Sequence, residues 1–271
     1  MTTRVTLADG MRMPVLGFGV YKVSDEAAQP AVAEALTAGY RLVDTATLYR
    51  NEAAVGRAVR ASGLDRDDVF VTTKLWNDAQ GDRAEAAFEE SVGRLGLGAP
   101  DLYLIHWPAP AREQYVPTWR TLLRLRDEGR VRSVGVSNFQ PDHLERIVQD
   151  SGEVPVVNQV ELHPYLQQRE LRALHSELGI VTQAWSPLGR GAVLEDPVLL
   201  DIAREHGASV AQVVLRWHLD LGVAVVPKSV TPARIRENLA AADLELSPRD
   251  HERIAALDRG ERSGSHPDLV S

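Results

Sequence analysis

The sequence predicts an α/β fold, namely a (β/α)8 TIM barrel with a short N-terminal β-hairpin and an extra helix near the C-terminus. Eight short apolar, β-branched runs recur roughly 25 to 40 residues apart, with helical stretches between them. The runs are mostly continuous rather than alternating, which is typical of strands covered on both faces. The 271 residues are close to the length of such a barrel, about 250 residues. Because no linker or low-complexity run interrupts the pattern, we expect one domain over residues 1–271.

The strands are expected in a fixed order along the chain. A hairpin comes first, in LADGMRM, because Asp9-Gly10 favours a tight turn. A doubly wound sheet is the alternative fold, but the first barrel strand continues as GFGVYK and lacks the third glycine of a phosphate-binding turn. The eight predicted barrel strands are VLGFGV (15–20), RLVDTA (41–46), VFVTTK (69–74), DLYLIH (101–106), VRSVGV (131–136), PVVNQV (155–160), IVTQAW (180–185) and VAVVPK (223–228).

The helices are marked mainly by the residues at their ends. Pro30 stands at a plausible first helical position, and Gly39 follows the last turn of PAVAEALTA. The gap over 186–222 holds two helical segments, PVLLDIAREHG and SVAQVVLRWHLDLG. Two further helices show an apolar stripe followed by glycine, with Ala84, Phe88, Val92 and Leu95 before Gly96, and Leu171, Leu174 and Leu178 before Gly179.

Composition narrows the class of function. Hydrophobic residues make up 44% and charged residues 25%, and the net charge of −8 gives no support for nucleic-acid or acidic-membrane binding. The absence of cysteine excludes disulfides and thiolate metal sites, and no metal site is expected. The N-terminus lacks an apolar signal region, and no run approaches the about 20 apolar residues of a membrane span. We therefore expect a soluble cytoplasmic protein.

Polar or aromatic residues stand where each apolar run stops. The carboxyl ends of barrel strands meet at one rim, where the active sites of such barrels lie. Any one of these residues is more often structural, but together they predict a site. They are Asp44, Tyr49, Lys74, Trp76, Asn77, His106, Trp107, Ser137, Asn138, Gln159, Trp185, Ser186, Lys228 and Ser229.

Four of these residues form a chemically sensible set. We expect Lys74 to lie near Tyr49 and to lower the pKa of its phenol, because a neighbouring positive charge favours the phenolate. Asp44 would pair with Lys74 and fix its position. The phenol of Tyr49 could then act as a general acid towards a carbonyl oxygen, which a neutral His106 would orient.

The chain resembles the aldo-keto reductase family over essentially its whole length, in a bacterial branch similar to the 2,5-diketo-D-gluconate reductases. The resemblance implies NADPH-dependent reduction of aldehydes and ketones to alcohols by a monomer, with a catalytic tetrad that falls on Asp44, Tyr49, Lys74 and His106. The matching stretches are GFGVYKV, DTATLYRNE, VTTKLWN, DLYLIHWP, GVSNF, NQVELHPY, AWSPLGRG and PKSVTPARIRENL.

The resemblance also implies a nicotinamide cofactor bound without a doubly wound domain. It assigns the carboxamide to Ser137, Asn138 and Gln159, the ring to Trp185, where relatives often carry Tyr or Phe, and the pyrophosphate to Ser186, Leu188 and Gly191. Thr231 and Pro232 read as the N-cap and first residue of a helix, and helix N-termini attract phosphate. The 2′-phosphate and adenine would meet Lys228, Ser229, Val230, Arg234, Glu237 and Asn238, although some relatives carry Arg at the position of Thr231.

A substrate pocket is expected around Tyr49, lined by Tyr21, Trp76, His106 and Trp107. Its substrates would be small aldehydes, ketones or dicarbonyls. The polar tail after Gly260 is short, so we expect an open pocket. Trp119 and Trp217 are predicted to pack in the core, His163 to be structural, and the remaining histidines to lie on solvated helices without a role.

Two other functions stay open. One is a non-catalytic, cofactor-sensing regulatory subunit built on the same barrel, which is disfavoured because all four tetrad residues are present. The other is a barrel enzyme for phosphorylated metabolites, which would use the anion site after the eighth strand for its substrate. Binding of a nicotinamide cofactor distinguishes the carbonyl reductase from the enzyme for phosphorylated metabolites.

Overall fold

In the computed structural model, which describes residues 3–271, eight parallel strands curl into a barrel and helices pack around it. The barrel strands are β3 (Phe18–Gly19), β4 (Leu42–Asp44), β5 (Phe70–Leu75), β6 (Leu102–Ile105), β7 (Ser133–Ser137), β8 (Val157–Glu161), β9 (Val181–Trp185) and β10 (Ala224–Val225). The helices are α1 (Asp25–Ala38), α2 (Glu52–Ala61), α3 (Ala84–Leu95), α4 (Tyr115–Asp127), α5 (Pro141–Ser151), α6 (Arg169–Leu178), α7 (Pro197–Glu205), α8 (Val210–Asp220), α9 (Pro232–Leu239) and α10 (Pro248–Ala255).

The barrel closes between its first and last strands. Strands β3 to β10 pair in sequence order, and a parallel bridge between Leu16 and Val225 joins the two edges. At this seam the backbone N–H of Gly19 donates to the carbonyl of Pro227 at 3.0 Å. A Cβ on Gly19 would lie 2.8 Å from the carbonyl oxygen of Val226, so only glycine permits this close approach.

The predicted strands are confirmed, since each apolar run contains a barrel strand. The observed strands are shorter at the seam, where only two residues of the run 15–20 belong to β3. Strands β5, β7 and β8 each extend one residue beyond the predicted ranges, to Leu75, Ser137 and Glu161. The predicted hairpin is also present, as β1 (Arg4–Thr6) paired antiparallel with β2 (Arg12–Pro14), and it buries Leu7 and Met13 against the barrel core.

The prediction for the start of α1 was wrong. The helix begins at Asp25, capped by the Ser24 hydroxyl, which accepts a bond from Ala27 N at 3.3 Å. Pro30 therefore lies inside the helix. Proline there leaves the carbonyl of Glu26 without a helical partner, and both residues are exposed, so water can satisfy that carbonyl. A serine cap followed by two acidic residues was the stronger start signal.

The other predicted helix ends are confirmed. Gly39, Gly96 and Gly179 end α1, α3 and α6 in the left-handed conformation. Helices α7 and α8 fill the long gap, and α10 is the extra helix near the C-terminus. Thr231 occupies the N-cap of α9, but its side chain makes no capping bond; instead its backbone N–H donates to Ser229 Oγ at 3.1 Å.

The tryptophans were predicted correctly and several histidines were not. Trp119 and Trp217 are buried in the core. His143, His175 and His218 are also buried, although they were expected to lie on solvated helices. Each has hydrogen-bonding partners that a sequence pattern does not show: His175, for example, bonds Asn158 and Thr182. Within residues 3–271, no helix is long and apolar enough to span a membrane.

Two helical glycines offer a matched test of the packing between α2 and α3. A Cβ on Gly56 would lie 1.8 Å from the carbonyl oxygen of Leu95, whereas Gly93 faces open space. We expect Gly56→Ala to destabilise the protein by about 2 kcal/mol or more because α2 and α3 must separate. Gly93→Ala should stabilise it by up to about 1 kcal/mol through helix propensity. Urea unfolding of both variants measures this, and equal effects would contradict the close approach.

Candidate active site

A cavity of about 930 Å³ opens at the carboxyl ends of the barrel strands. All of the residues assigned above to catalysis, cofactor or substrate line this cavity, with the exception of Lys74. Lys74 is fully buried beneath it. The lining includes Asp44, Tyr49, His106, Tyr21, Trp76, Trp107, Ser137, Asn138, Gln159, Trp185, Ser186, Leu188, Gly191, Lys228, Ser229, Val230, Arg234, Glu237 and Asn238.

A buried ion pair lies at the base of the cavity. Lys74 Nζ donates to Asp44 Oδ1 at 2.6 Å and to the carbonyl of Thr45 at 2.9 Å. Asp44 ends β4 and Lys74 lies near the end of the neighbouring β5, so the parallel pairing places both side chains at one rim. Burial lowers the pKa of Lys74, against the raising effect of the Asp44 carboxylate. The ammonium ion is therefore held in place by one carboxylate and one backbone carbonyl.

Tyr49 is held above this pair by the turn that follows β4. The turn is fixed by Asn51, whose side-chain amide donates to the carbonyls of Val20 and Val23 at 3.0 and 2.9 Å. Lys74 Nζ lies 5.1 Å from the ring centroid of Tyr49. The ring of Tyr49 also contacts His106, with a centroid distance of 5.7 Å. The four residues of the predicted tetrad are thus brought together.

The predicted direction of the Tyr49 pKa was wrong for this structure. Burial raises the pKa of Tyr49 well above its usual range, and the Asp44 carboxylate acts in the same direction. Lys74 does not reverse this, because its charge is balanced by the carboxylate 2.6 Å away. Tyr49 is therefore a neutral phenol that retains its proton at pH 7.

His106 presents one nitrogen to the cavity. Its Nδ1 is buried without a hydrogen-bond partner among the described residues, whereas Nε2 is not buried. Because a buried N–H without an acceptor is rarer than an unpaired acceptor, the proton is assigned to Nε2. Burial and the charge of Lys74 hold the pKa of His106 well below its usual range. His106 is therefore a neutral ring that can donate a hydrogen bond into the cavity.

The three residues predicted to bind a carboxamide are already connected to one another. Ser137 Oγ donates to the carbonyl of Gln159 at 2.7 Å, and Asn138 Nδ2 donates to Ser137 Oγ and to the carbonyl of His106. Asn138 Oδ1 accepts from Trp185 Nε1 at 2.7 Å. The side-chain carbonyl of Gln159 is the polar group of this set that is left without a partner between residues 3 and 271.

The far end of the cavity fits an anionic group. Lys228 and Arg234 line it beside the N-terminus of α9, as predicted. Arg190 and Lys22 also line the cavity, and Lys22 Nζ lies 5.5 Å from the ring centroid of Tyr21. Within residues 3–271, none of these four cations forms an ion pair with a carboxylate. A cavity lined by four unpaired cations, with a flat aromatic wall at its other end, fits a phosphate-bearing nicotinamide dinucleotide.

The C-terminal tail folds back to the cavity, which the sequence did not predict. Glu161, fully buried at the end of β8, accepts bonds from Ser263 N at 2.6 Å and from Gly264 N at 3.1 Å. Ser265 and Val270 then line the cavity. This contact joins residues about a hundred positions apart, so no local signal could have revealed it. Arg190 was missed as well, although it lies between two predicted residues, Leu188 and Gly191.

A β/α barrel with a polar cavity at its carboxyl rim defines the class, a (β/α)8-barrel enzyme. The model of the aldo/keto reductase family matches residues 15–259. The chain belongs to the aldo/keto reductase family, whose members are oxidoreductases.

Known relatives resemble the chain over nearly its full length. An aldo-keto reductase of Mycolicibacterium smegmatis is 53% identical over 268 residues, which cover 98% of each chain. The methylglyoxal reductase DkgA of Salmonella typhimurium is 48% identical and covers 98% of this chain and 97% of its own. The crystal structure of a Gox0644 mutant in complex with NADPH is 47% identical, with a TM-score of 0.96 over 100% of this chain and 99% of that one.

The protonation state of His106 can be measured directly. We expect the nitrogen resonances of His106 to show a neutral ring with its proton on Nε2 and no titration between about pH 6 and 8, because burial and Lys74 lower its pKa. Long-range ¹H–¹⁵N spectra over this range test it, and His106→Gln supplies the assignment. A midpoint near the ordinary value of about 6.5, or a proton on Nδ1, would contradict the assignment.

Proposed function

We propose that this chain uses NADPH to reduce aldehydes, ketones and small dicarbonyls to alcohols, with Tyr49 as the general acid. The observation that carries the proposal is the position of the Tyr49 phenol over the buried Lys74–Asp44 pair, beside a neutral His106. The family match, the relatives named as methylglyoxal reductases and the structural relative in complex with NADPH support the same reaction.

Two residues at the base of the cavity act on the carbonyl oxygen in different ways. The cofactor, when bound, supplies the hydride that reduces the carbonyl carbon. His106 Nε2–H orients the oxygen by a hydrogen bond and stabilises the negative charge that develops on it. Tyr49 holds the proton that this oxygen receives.

Proton transfer from Tyr49 is feasible despite its raised pKa. An alkoxide oxygen is a stronger base than a phenolate, so the proton moves in the favourable direction once the oxygen has become negative. The phenolate that remains is then stabilised by the Lys74 ammonium, 5.1 Å from the ring centroid. Asp44 keeps Lys74 charged and directed upward from the base of the barrel. In this proposal Lys74 acts after the proton has moved, rather than by ionising the free enzyme.

The cofactor contacts are proposed along the length of the cavity. Ser137, Asn138 and Gln159 meet the carboxamide, and Trp185 stacks on the nicotinamide ring. The pyrophosphate is held near Ser186, Leu188 and Gly191, with Arg190 beside them. The phosphorylated adenosine is held by Lys228, Ser229, Val230, Arg234, Glu237 and Asn238, where unpaired cations favour NADPH over NADH.

The substrate end of the cavity is aromatic. The ring centroids of Tyr21 and Tyr49 are 5.1 Å apart, and those of Trp76 and His106 are 5.2 Å apart. Trp107 contacts Trp185 across the mouth at 6.3 Å. Flat apolar walls around two hydrogen-bond donors favour a compact carbonyl compound, which agrees with small aldehydes and dicarbonyls.

Replacing Tyr49 tests the general acid. Tyr49→Phe keeps the ring and removes the proton, so we expect kcat to fall by about 10³-fold, within the range of general acid catalysis, with little change in the Kd for NADPH. Steady-state kinetics with methylglyoxal and a fluorescence titration measure the two quantities. Tyr115→Phe removes a phenol hydroxyl from α4, away from the cavity, and should behave like the unaltered protein. Unchanged turnover in Tyr49→Phe would disprove the assignment.

Cofactor selectivity is tested at α9. Arg234→Ala removes an unpaired cation from the cavity, so we expect KM for NADPH to rise about 10- to 100-fold, as for a hydrogen bond to a charged group, while KM for NADH stays the same. Arg236→Ala on the same helix is the matched control, because Arg236 pairs with Glu34 instead. An equal rise for both cofactors would show that Arg234 does not bind the 2′-phosphate. If no nicotinamide cofactor binds at all, an enzyme for phosphorylated metabolites becomes the better proposal.

A further inference from the structure

A ladder of buried amides runs across the interior of the barrel to the catalytic aspartate. Gln159 Nε2 donates to Asp44 Oδ2 at 2.7 Å and to Gln183 Oε1 at 2.6 Å. Gln183 is fully buried and Gln159 and Asp44 are nearly so. Gln159 and Gln183 are paired residues on the adjacent strands β8 and β9, so their side chains lie side by side on the inner face. Neither the proposed reaction nor the sequence pattern assigns a role to Gln183.

The ladder has a fixed direction. Asp44 carries a carboxylate that is already paired with Lys74 and can only accept, so the Gln159 amide must turn its nitrogen towards it. The second proton of that nitrogen goes to Gln183 Oε1. Gln183 in turn faces Met13 Sδ with its own nitrogen, at 3.9 Å. Both amide protons of Gln159 are thereby used, and its Oε1 is left as a bare acceptor in a side chain that lines the cavity.

We propose that Gln183 is a positioning residue that fixes Gln159 Oε1 as an acceptor for the carboxamide N–H of the cofactor. The proposal rests on the proposed function, because it concerns how that cofactor is recognised. The proposal predicts that the site prefers a pyridine ring bearing a primary amide to one bearing an acetyl group. The acetyl group has no N–H to donate to Gln159 Oε1.

Gln159 is the residue through which this preference must act. Ser137 and Asn138 already bond to each other, to backbone carbonyls and to Trp185. Without the Gln183 oxygen, one amide proton of Gln159 would be buried in the barrel with no acceptor. Such a group costs free energy until it finds a partner, so the Gln159 amide would turn away from its present orientation. Asp44 Oδ2 holds one amide proton of Gln159 away from the cavity, and Gln183 Oε1 holds the other.

The preference can be measured by binding alone. The Kd values of NADPH and of its reduced 3-acetylpyridine analogue are obtained by fluorescence titration, for the unaltered protein and for Gln183→Met, which keeps the length of the side chain and removes its amide. We expect the unaltered protein to bind NADPH about 5- to 10-fold more tightly than the analogue, as for one neutral hydrogen bond, and Gln183→Met to bind both within about twofold. Gln183→Leu repeats the test with different packing.

Two controls separate positioning from damage to the barrel. Thr182→Val removes a buried hydrogen bond to His175 from the adjacent position on β9, outside the ladder, and should keep the full preference. The adenosine 2′-phosphate diphosphoribose fragment, which has no pyridine ring, should bind all variants equally.

The outcomes are distinct. A preference that is unchanged in Gln183→Met and Gln183→Leu, or lost equally in Thr182→Val, would overturn the role of Gln183. A parallel loss of fragment binding would overturn it as well, because the effect would then be general. Failure of the unaltered protein to bind NADPH would instead refute the proposed function, which keeps the two failures apart.

Discussion

The rest of the site depends on the ion pair between Lys74 and Asp44, buried inside the barrel. A charge in such a place is expensive to desolvate, and a buried pair adds little to stability compared with apolar residues of the same size. The ion pair instead fixes the positions of the side chains around it. With Asp44 Oδ1 on Lys74 and Oδ2 on Gln159, one carboxylate links strands β4, β5 and β8 at the base of the cavity. Loss of either charge would leave the other unpaired in a dry interior, so the arrangement admits little movement.

Both ends of the barrel help to keep this interior dry. The N-terminal hairpin packs Leu7 and Met13 against the amino end of the barrel. At the opposite end Glu161 holds the tail, and Gly264 lies so close to Trp185 that a Cβ would fall 2.5 Å from the indole ring. Low polarizability around charges strengthens their interactions and magnifies the effect of an unpaired one. The closure of both ends of the barrel therefore strengthens the electrostatic interactions within the site.

Much of the barrel and of the site could be predicted from the sequence, for a definite physical reason. Strands that are buried on both faces appear as continuous apolar runs, and parallel strands bring the residues that follow them to one rim. Asp44, Lys74 and His106 could thus be placed together without any long-range contact being known. What failed depended on such contacts. The burial of His175 and the return of the tail to Glu161 are set by partners far along the chain. The start of α1 was missed because Pro30 outweighed the capping signal of Ser24.

The error about Tyr49 is the instructive one, because it concerns charge rather than position. Burial raises the pKa of Tyr49 more than any neighbouring charge does, and the Asp44 carboxylate, 2.6 Å from Lys74, raises it further. The same pairing that keeps Lys74 charged in the barrel opposes part of the effect of its charge at Tyr49. In the proposed reaction a substrate oxygen becomes negative, and the site then contains an anion that can take the proton of Tyr49. For that proposed reaction, the interaction of the Lys74–Asp44 pair with the developing charge matters more than the ionisation of the phenol in the free enzyme.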